Sequence, residues 1–325
     1  MENRKKAKDL MRKAFGLREM GVIIPLIIAV VLFSVNSSAF LTIDNITNIL
    51  RTTSFTFITA IGMTYLMIAG GWDLSVGAVY ALAGVVAGLL MTLGVPIILS
   101  ILAAILVGAI FGIINGFFVQ IVNLPPFVAT MATMYMARGF VLGFQKGEAV
   151  YPLPENFNEI GQGNLQIGSV GIPYVVIIAI LLGIIATLIL KYTVYGRMLF
   201  AVGGNSETAR LAGIASNAVR FSAYVLTGAL AAITGILMSA RVGSAQPNVG
   251  SGFEMTVIAA CVIGGVSLSG GAGKVYGAFL GSIFMAMISN GMTMIKVSSY
   301  WQQLVLGLVL LLACSLDFFR THFKK

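Results

Sequence analysis

The chain has 325 residues, of which 58% are hydrophobic and 10% are charged. A soluble globular domain carries about 25% charged residues, so this composition excludes an ordinary soluble protein and indicates a protein of the lipid bilayer. The net charge is +9, but seven of the 20 basic residues precede the first apolar run. That clustering indicates a basic tail facing anionic lipid, so we expect membrane lipid and no nucleic acid among the partners.

The apolar runs predict an all-α fold, because they are long and do not alternate with a period of two as barrel strands would. We expect a polytopic bundle of about ten transmembrane helices in one domain over residues 20–320. A basic tail at 1–19 precedes it and a short tail at 321–325 follows it. The predicted helices lie near residues 20–40, 50–70, 75–94, 96–118, 124–144, 173–191, 218–240, 252–266, 275–294 and 299–319.

The basic residues predict the orientation of these helices. With the N-terminus in the cytoplasm, fifteen basic residues fall on the cytoplasmic side and four on the outside, in agreement with the positive-inside rule. Arg138 falls inside a predicted span. Both termini and a loop at 192–217 are then cytoplasmic, and a polar loop at 145–172 is external. This external loop is either a connector or a docking surface for an extracytoplasmic partner.

Two similar Gly-Gly segments, Gly70–Gly77 and Gly264–Gly271, interrupt the apolar runs. One interpretation is a pair of discontinuous helices, whose free N–H groups would face an oxygen-rich solute. The other is a pair of ordinary turns at the cytoplasmic surface. Asp73 in the first break fits either a pathway residue or a helix cap. For Glu254, before the second break, the capping interpretation is favoured.

No catalytic or metal-binding pattern is present in the sequence. Cys261 and Cys314 are isolated in apolar segments, and His322 is the single histidine. The Gly270–Lys274 segment resembles a phosphate-binding loop but lacks its first glycine and its final serine or threonine. We therefore expect a chain that is not an enzyme and binds no cofactor or metal itself. A self-sufficient secondary transporter is also disfavoured. It would need an ionisable coupling site within the membrane, and few ionisable residues fall inside the predicted spans.

The segment Gly196–Gly213 is a polar, charged interruption between two long apolar runs. It predicts a compact surface for a soluble motor, with a short helix around Ser206–Leu211. Ser206 is the expected N-cap, and Glu207 suits the first turn. A passive basic connector is the alternative.

Taken together, the sequence resembles the membrane permease of ribose/xylose-type bacterial ABC sugar importers, within the group that includes branched-chain amino-acid permeases. The resemblance extends over nearly the whole chain from Phe40. It is carried by six segments: Phe40–Leu50, the Asp73 break, Asn115-Gly116, Gly196–Gly213, Ile263–Gly273 and Ser298–Gln303. It implies residence in the bacterial cytoplasmic (inner) membrane. It also implies three partners: cytoplasmic ABC ATPase subunits, an extracytoplasmic sugar-binding protein and a second permease, either an identical copy or a sister chain.

Within Gly196–Gly213, the segment Glu207-Thr208-Ala209 followed by Gly213 resembles the coupling motif of ABC importers. Two departures stand out: Thr208 occupies the usual alanine position, and the downstream Ile-x-Leu-Pro part is missing. Trp72 also stands where a small aliphatic residue is usual. The resemblance implies that the ATPase contact is made by Gly196, Arg197, Asn205, Glu207, Ala209, Arg210 and Gly213.

The route for the solute is predicted from polar and aromatic residues, because a sugar must replace its hydrogen bonds to water on the way. The candidates are Asp73, Asn115, Asn290, Trp301, Gln302 and Gln303. Trp301 fits an interfacial aromatic belt at least as well. The expected cargo is a ribose- or xylose-like monosaccharide. A branched-chain amino acid, a nucleoside or a signalling furanose stays open for the same role.

Overall fold

A computed structural model describes residues 20–168 and 170–322. Within them the chain is almost entirely helical and carries one small hairpin. The elements in chain order are α1 (Met20–Asn36), α2 (Ile43–Ile68), α3 (Val76–Thr92), α4 (Ile97–Gln120), α5 (Pro126–Gln145), α6 (Glu155–Gln162), β1 (Asn164–Ile167), β2 (Val170–Pro173), α7 (Tyr174–Tyr192), α8 (Val194–Gly204), α9 (Ser206–Leu211), α10 (Ser216–Val242), α11 (Phe253–Ile263), α12 (Val275–Met294) and α13 (Ser299–His322).

The ten predicted helices are all present, as α1–α5, α7 and α10–α13. Among the described residues, five of them (α4, α5, α7, α10 and α12) are long and apolar enough to cross a membrane by length and composition. Shorter apolar helices accompany them, so a polytopic helical bundle is confirmed while the count of ten spans stays a prediction. The predicted tail at 1–19 lies outside the described residues. The predicted tail at 321–325 begins inside α13, which continues to His322.

The segment at 145–172, predicted as an external loop, connects α5 to α7 and has secondary structure of its own. It contains α6 and the antiparallel strands β1 and β2. Its location outside the membrane stays a prediction. The sequence hides this helix because its apolar side is short: Phe157 and Gly161 are its buried residues. Gly161 packs directly on the backbone of Ala240 and Arg241 at the end of α10. A larger residue at 161 would therefore push α6 off the bundle.

The bundle has two ends that differ in character. At one, which we call the hairpin end, Arg51 donates to the Gln162 carbonyl at 3.1 Å and to Asn164 Oδ1 at 2.6 Å. At the other, which we call the coupling end, lie α8 and α9. The 19-residue helix α7 joins the two and is about 28 Å long at 1.5 Å per residue.

Small residues let the backbones of the bundle approach closely. Gly108 of α4 and Gly228 of α10 face each other so tightly that a Cβ on either would overlap the other's carbonyl. The next turn repeats this contact, with Gly112 against Tyr224. Close approach of this kind replaces the hydrophobic driving force that is missing between helices in lipid. Gly108 and Gly112, four residues apart in α4, thus form part of an intramolecular packing seam with α10.

Four glycines at the coupling end bring three separate segments together, and we call them the glycine junction: Gly70, Gly203, Gly270 and Gly271. Gly203 at the end of α8 lies against the Ile68 carbonyl and the Gly271 amide. The Gly271 N–H donates to the same Ile68 carbonyl at 2.8 Å, and Gly270 packs on Gly70 and Gly203. Both Gly-Gly breaks therefore meet α8 directly.

The junction predicts opposite effects for two neighbouring glycines. In Gly203→Ala the new Cβ overlaps the Ile68 carbonyl, and overpacking of this kind costs about 1–3 kcal/mol. In Gly204→Ala the new Cβ meets nothing within 4 Å, so this variant is the matched control. We expect the melting temperature in detergent to fall for Gly203→Ala and to stay level or rise for Gly204→Ala. Equal melting temperatures would contradict the packing described.

Candidate functional site: the coupling surface and the membrane interior

The coupling surface consists of α8 and α9, two short helices with well-defined starts. Thr193 caps α8, its hydroxyl accepting from the Gly196 N–H at 3.2 Å. Asn205 caps α9, its Oδ1 accepting from the Thr208 N–H at 2.9 Å. The predicted helix Ser206–Leu211 is confirmed, but the prediction that Ser206 is its N-cap is wrong. The extended backbone at Asn205 places the amide side chain over the first turn, so Ser206 becomes the first helical residue.

Glu207 and Arg210 form a two-pronged ion pair on the exposed side of α9. The Arg210 Nε and Nη2 atoms donate to the two Glu207 carboxylate oxygens at 3.1 and 2.6 Å. The Arg210 hydrogen bonds, and secondarily its charge, hold the pKa of the Glu207 carboxyl below its ordinary value. Both side chains are about two-thirds exposed, so the pair contributes little to stability and remains available to a partner.

The remaining residues predicted at this surface divide into exposed and structural positions. Arg197 of α8 and Asn205, the cap of α9, are exposed. Ala209 is the buried residue of α9, and Gly196 of α8 lies against the Leu190 carbonyl. Both residues therefore determine how these helices pack on the bundle. Gly213 has φ +83°, a left-handed conformation that lets the chain turn from α9 towards α10.

Arg220 of α10 strengthens the connection between the coupling surface and the first break. Its Nε donates to the Ala69 carbonyl at 2.8 Å, and its Nη2 reaches the Val202 carbonyl at 3.5 Å. Ala69 ends α2, and Val202 lies in the last turn of α8. A single guanidinium thus spans both segments beside the glycine junction.

Asp73 and Asn115, two of the predicted pathway residues, are brought together in a closed hydrogen-bond network. Asp73 accepts from the Ser75 N–H and hydroxyl at 2.7 and 2.6 Å, and from Asn115 Nδ2 at 3.0 Å. Asn115 Oδ1 accepts from the Thr133 hydroxyl at 2.6 Å. Asp73, Asn115 and Thr133 are buried, and their polar groups face one another. The network joins the start of α3 to α4 and α5.

The other four predicted pathway residues do not join this network. Asn290 Nδ2 donates to Asn45 Oδ1 at 2.9 Å, and Gln302 Nε2 donates to the Val297 carbonyl at 3.0 Å. Trp301 and Gln303 are exposed at the start of α13. These residues lie near the α12–α13 turn, so the six candidates form no single site and their role in transport stays a prediction.

Residues 243–252 extend as irregular backbone into the interior of the bundle before α11 begins. Ala245 packs near Gly88 of α3, whereas Gly250 packs on Gly77, eleven residues earlier in the same helix. At 1.5 Å per residue, Gly88 and Gly77 are about 16 Å apart along the axis of α3, so the segment enters the bundle by about that distance. Helix α11 is short, with 11 residues, because it starts at that depth. Irregular backbone therefore borders α11 on both sides, at 243–252 and at Gly264-Gly265, and the discontinuous-helix interpretation of the Gly-Gly breaks stays a prediction.

Arg138 holds this descending segment in place. It lies in the interior of α5, a helix apolar enough to span a membrane, where an unpaired charge is costly. Its Nη1 donates to the Pro247 and Val249 carbonyls, both at 2.8 Å. Irregular backbone within a bundle needs such partners. The sequence marked Arg138 only as a charge within a span, and nothing in it pointed to residues more than a hundred positions away.

A family model described as "Branched-chain amino acid transport system / permease component" matches residues 45–314. The chain belongs to this family. The ribose import permease protein of Escherichia coli (strain K12) is 37% identical over 93% of this chain and 94% of that protein.

Two Haemophilus influenzae proteins are similar over comparable lengths. Its xylose transport system permease protein is 32% identical over 94% of this chain and 97% of its own length. Its galactose/methyl galactoside import permease protein is 33% identical over 96% of this chain and 98% of its own length. A comparison with solved structures finds no match. Membership of a permease family agrees with the apolar helices, and the chain is a multi-pass membrane protein.

The buried network gives a prediction for Asp73. In Asp73→Asn an NH₂ group replaces the carboxylate oxygen that accepts a hydrogen bond from Asn115 Nδ2. Two donor groups then face each other. Leaving such a buried group unpaired costs about 2 kcal/mol. We expect a lower melting temperature in detergent and partial recovery in the double variant Asp73→Asn/Asn115→Asp, which restores one complementary pair. Wild-type stability of Asp73→Asn would show that the network does not hold α3, α4 and α5 together.

Proposed function

We propose that this chain is the transmembrane subunit of an ABC importer that carries a ribose- or xylose-like monosaccharide across the inner membrane. Separate cytoplasmic ATPase subunits drive the transport, and an extracytoplasmic sugar-binding protein delivers the cargo. The cargo class is supported by the relatives, whose names give ribose, xylose and galactose. The proposal includes about ten spans, cytoplasmic termini and a second permease, identical or sister, beside this one in the lipid.

The observation that carries the proposal is the coupling surface. Helix α9 is short, capped by Asn205 and exposed, and it presents the Glu207–Arg210 pair to a partner. Leu211 follows with 77% of its surface exposed, an apolar group beside the charges. A passive connector would have no need for a capped helix with an apolar tip. This combination suits a groove on a soluble protein.

The glycine junction supplies a path for the movement. When the ATPase shifts α8 and α9, Gly203 presses on the Ile68 carbonyl and on Gly271. Backbone in direct contact has no side chain to bend, so the displacement passes to both breaks. The first break follows the end of α2, and the second break leads into α12. Opening of the bundle at one end is thus linked to nucleotide binding outside the membrane.

The proposal is tested by reconstituting the chain with its ATPase and binding protein in proteoliposomes. We expect loaded binding protein to stimulate ATP hydrolysis and radiolabelled ribose, xylose or galactose to enter. Glu207→Arg should lower the stimulation by more than about tenfold, because a reversed charge at an interface costs several kcal/mol. Entry of leucine or a nucleoside in place of a sugar would assign another cargo. Uptake without ATP would contradict the importer proposal.

A charge swap serves as the control. Glu207→Arg/Arg210→Glu keeps an ion pair within α9 but exchanges the positions of the negative and positive charges that the ATPase would contact. If the pair acts on the ATPase, the swap stays as inactive as Glu207→Arg. Recovery of wild-type stimulation in the swap would show that the pair only supports α9, and would remove the ATPase contact from these two residues.

A further inference from the structure

A partly open cavity of about 220 Å³ lies between α2, α3, α10, α11, α12 and α13. Its lining includes Thr56, Tyr80, Arg241, Phe253 and Ser289. None of the six pathway residues predicted from the sequence lines it. The size is below the roughly 300–1,000 Å³ of pockets for drug-sized ligands, so it suits a smaller compound such as a single sugar ring.

Three hydroxyl groups in this cavity have no partner among the described residues. They belong to Thr56, Tyr80 and Ser289, and each side chain lines the cavity. Thr56 and Tyr80 are each 5% exposed and Ser289 is half-buried, and a solute in the cavity can reach the hydroxyl group of each. A polar solute that leaves water must replace its hydrogen bonds, because leaving them unmade has a cost. Three hydroxyl groups with no protein partner around one cavity supply such replacements.

The walls beside these hydroxyls are aromatic. Tyr80 and Phe253 stack with ring centroids 5.0 Å apart and planes 25° apart. The Arg241 guanidinium lies 5.5 Å from the Phe55 ring and donates to Asn48 Oδ1 at 2.7 Å. The cavity lining contains no Asp or Glu. An amino acid would leave its ammonium group without a counter-charge here, whereas a neutral polyhydroxyl compound needs none.

We propose that this cavity is a binding site for one neutral monosaccharide within the permease. Thr56, Tyr80 and Ser289 hydrogen-bond the sugar hydroxyls, and the Tyr80–Phe253 pair packs on the ring. The proposal rests on the proposed function and adds the place and the residues. The site is also linked to the coupling end, because α11 runs about 16 Å from Phe253 to the second break, where Gly271 contacts Gly203.

The test uses variants that remove one hydroxyl and keep the shape. Tyr80→Phe preserves the stacked ring, and Thr56→Val preserves the volume. In the reconstituted complex we expect the rate of sugar entry to fall about tenfold for each, the effect of losing about 1.4 kcal/mol of binding free energy for the sugar. Tyr192→Phe is the matched control, because Tyr192 is exposed at the end of α7, away from the cavity. It should behave as wild type.

A direct binding measurement separates this proposal from the proposed function. Purified permease without binding protein is titrated with radiolabelled ribose, xylose and galactose, and with leucine as competitor. We expect weak sugar binding that Tyr80→Phe reduces about tenfold and that leucine does not displace. Wild-type binding and transport in both variants would overturn the site while leaving the importer intact. Failure of the wild-type complex to transport any sugar would overturn the proposed function itself.

Discussion

The backbone contact at the glycine junction is the constraint on which the rest of the structure depends. Gly203 touches the Ile68 carbonyl with no room for a side chain, and Gly271 donates to the same oxygen. Three segments far apart in sequence meet there backbone to backbone, and the Arg220 side chain bridges two of them. Direct contact between backbones is stiff, because no flexible side chain lies between them. In the proposed mechanism, movement of α8 therefore displaces both breaks.

A second constraint fixes the interior. Residues 243–252 enter the bundle as irregular backbone, which a membrane protein tolerates only where protein covers it and satisfies its carbonyls. Arg138 does so for Pro247 and Val249. The outcome is a half-length helix, α11, with one end at the cavity and the other at the second break, whose last two glycines belong to the glycine junction. The fold thereby connects a candidate sugar site to the coupling surface through this helix and the break that follows it.

Much of the helical layout could be predicted from the sequence, because each span is a long apolar run that is helical in lipid for lack of other backbone partners. The short helix Ser206–Leu211 was also predictable from its polar setting. Its cap was not, because Asn205 and Ser206 both favour that position and only the backbone decides between them. Helix α6 was missed because it has only eight residues, which is too short for its apolar pattern to stand out in a polar segment.

The candidate site was predictable only where residues are close in sequence. The pairing of Asp73 with Asn115 was not foreseen, although each was selected separately. Tyr80 and Ser289 were missed entirely, because a hydroxyl in an apolar run is common and its lack of a partner is visible only in three dimensions. Arg138 was visible as a charge within a span, but the carbonyls that it binds leave no trace in the sequence.

Joint movement of the coupling helices and the breaks as one body can be tested by measuring distances between spin labels in the assembled complex. Labels at Leu211 and Trp72 report on the junction, and labels at Leu211 and Leu93 report on the whole bundle. Cys261 and Cys314 are first replaced. We predict that the first distance stays constant between the ATP-free and ATP-bound states while the second changes. A first distance that changes as much as the second would contradict movement as one body.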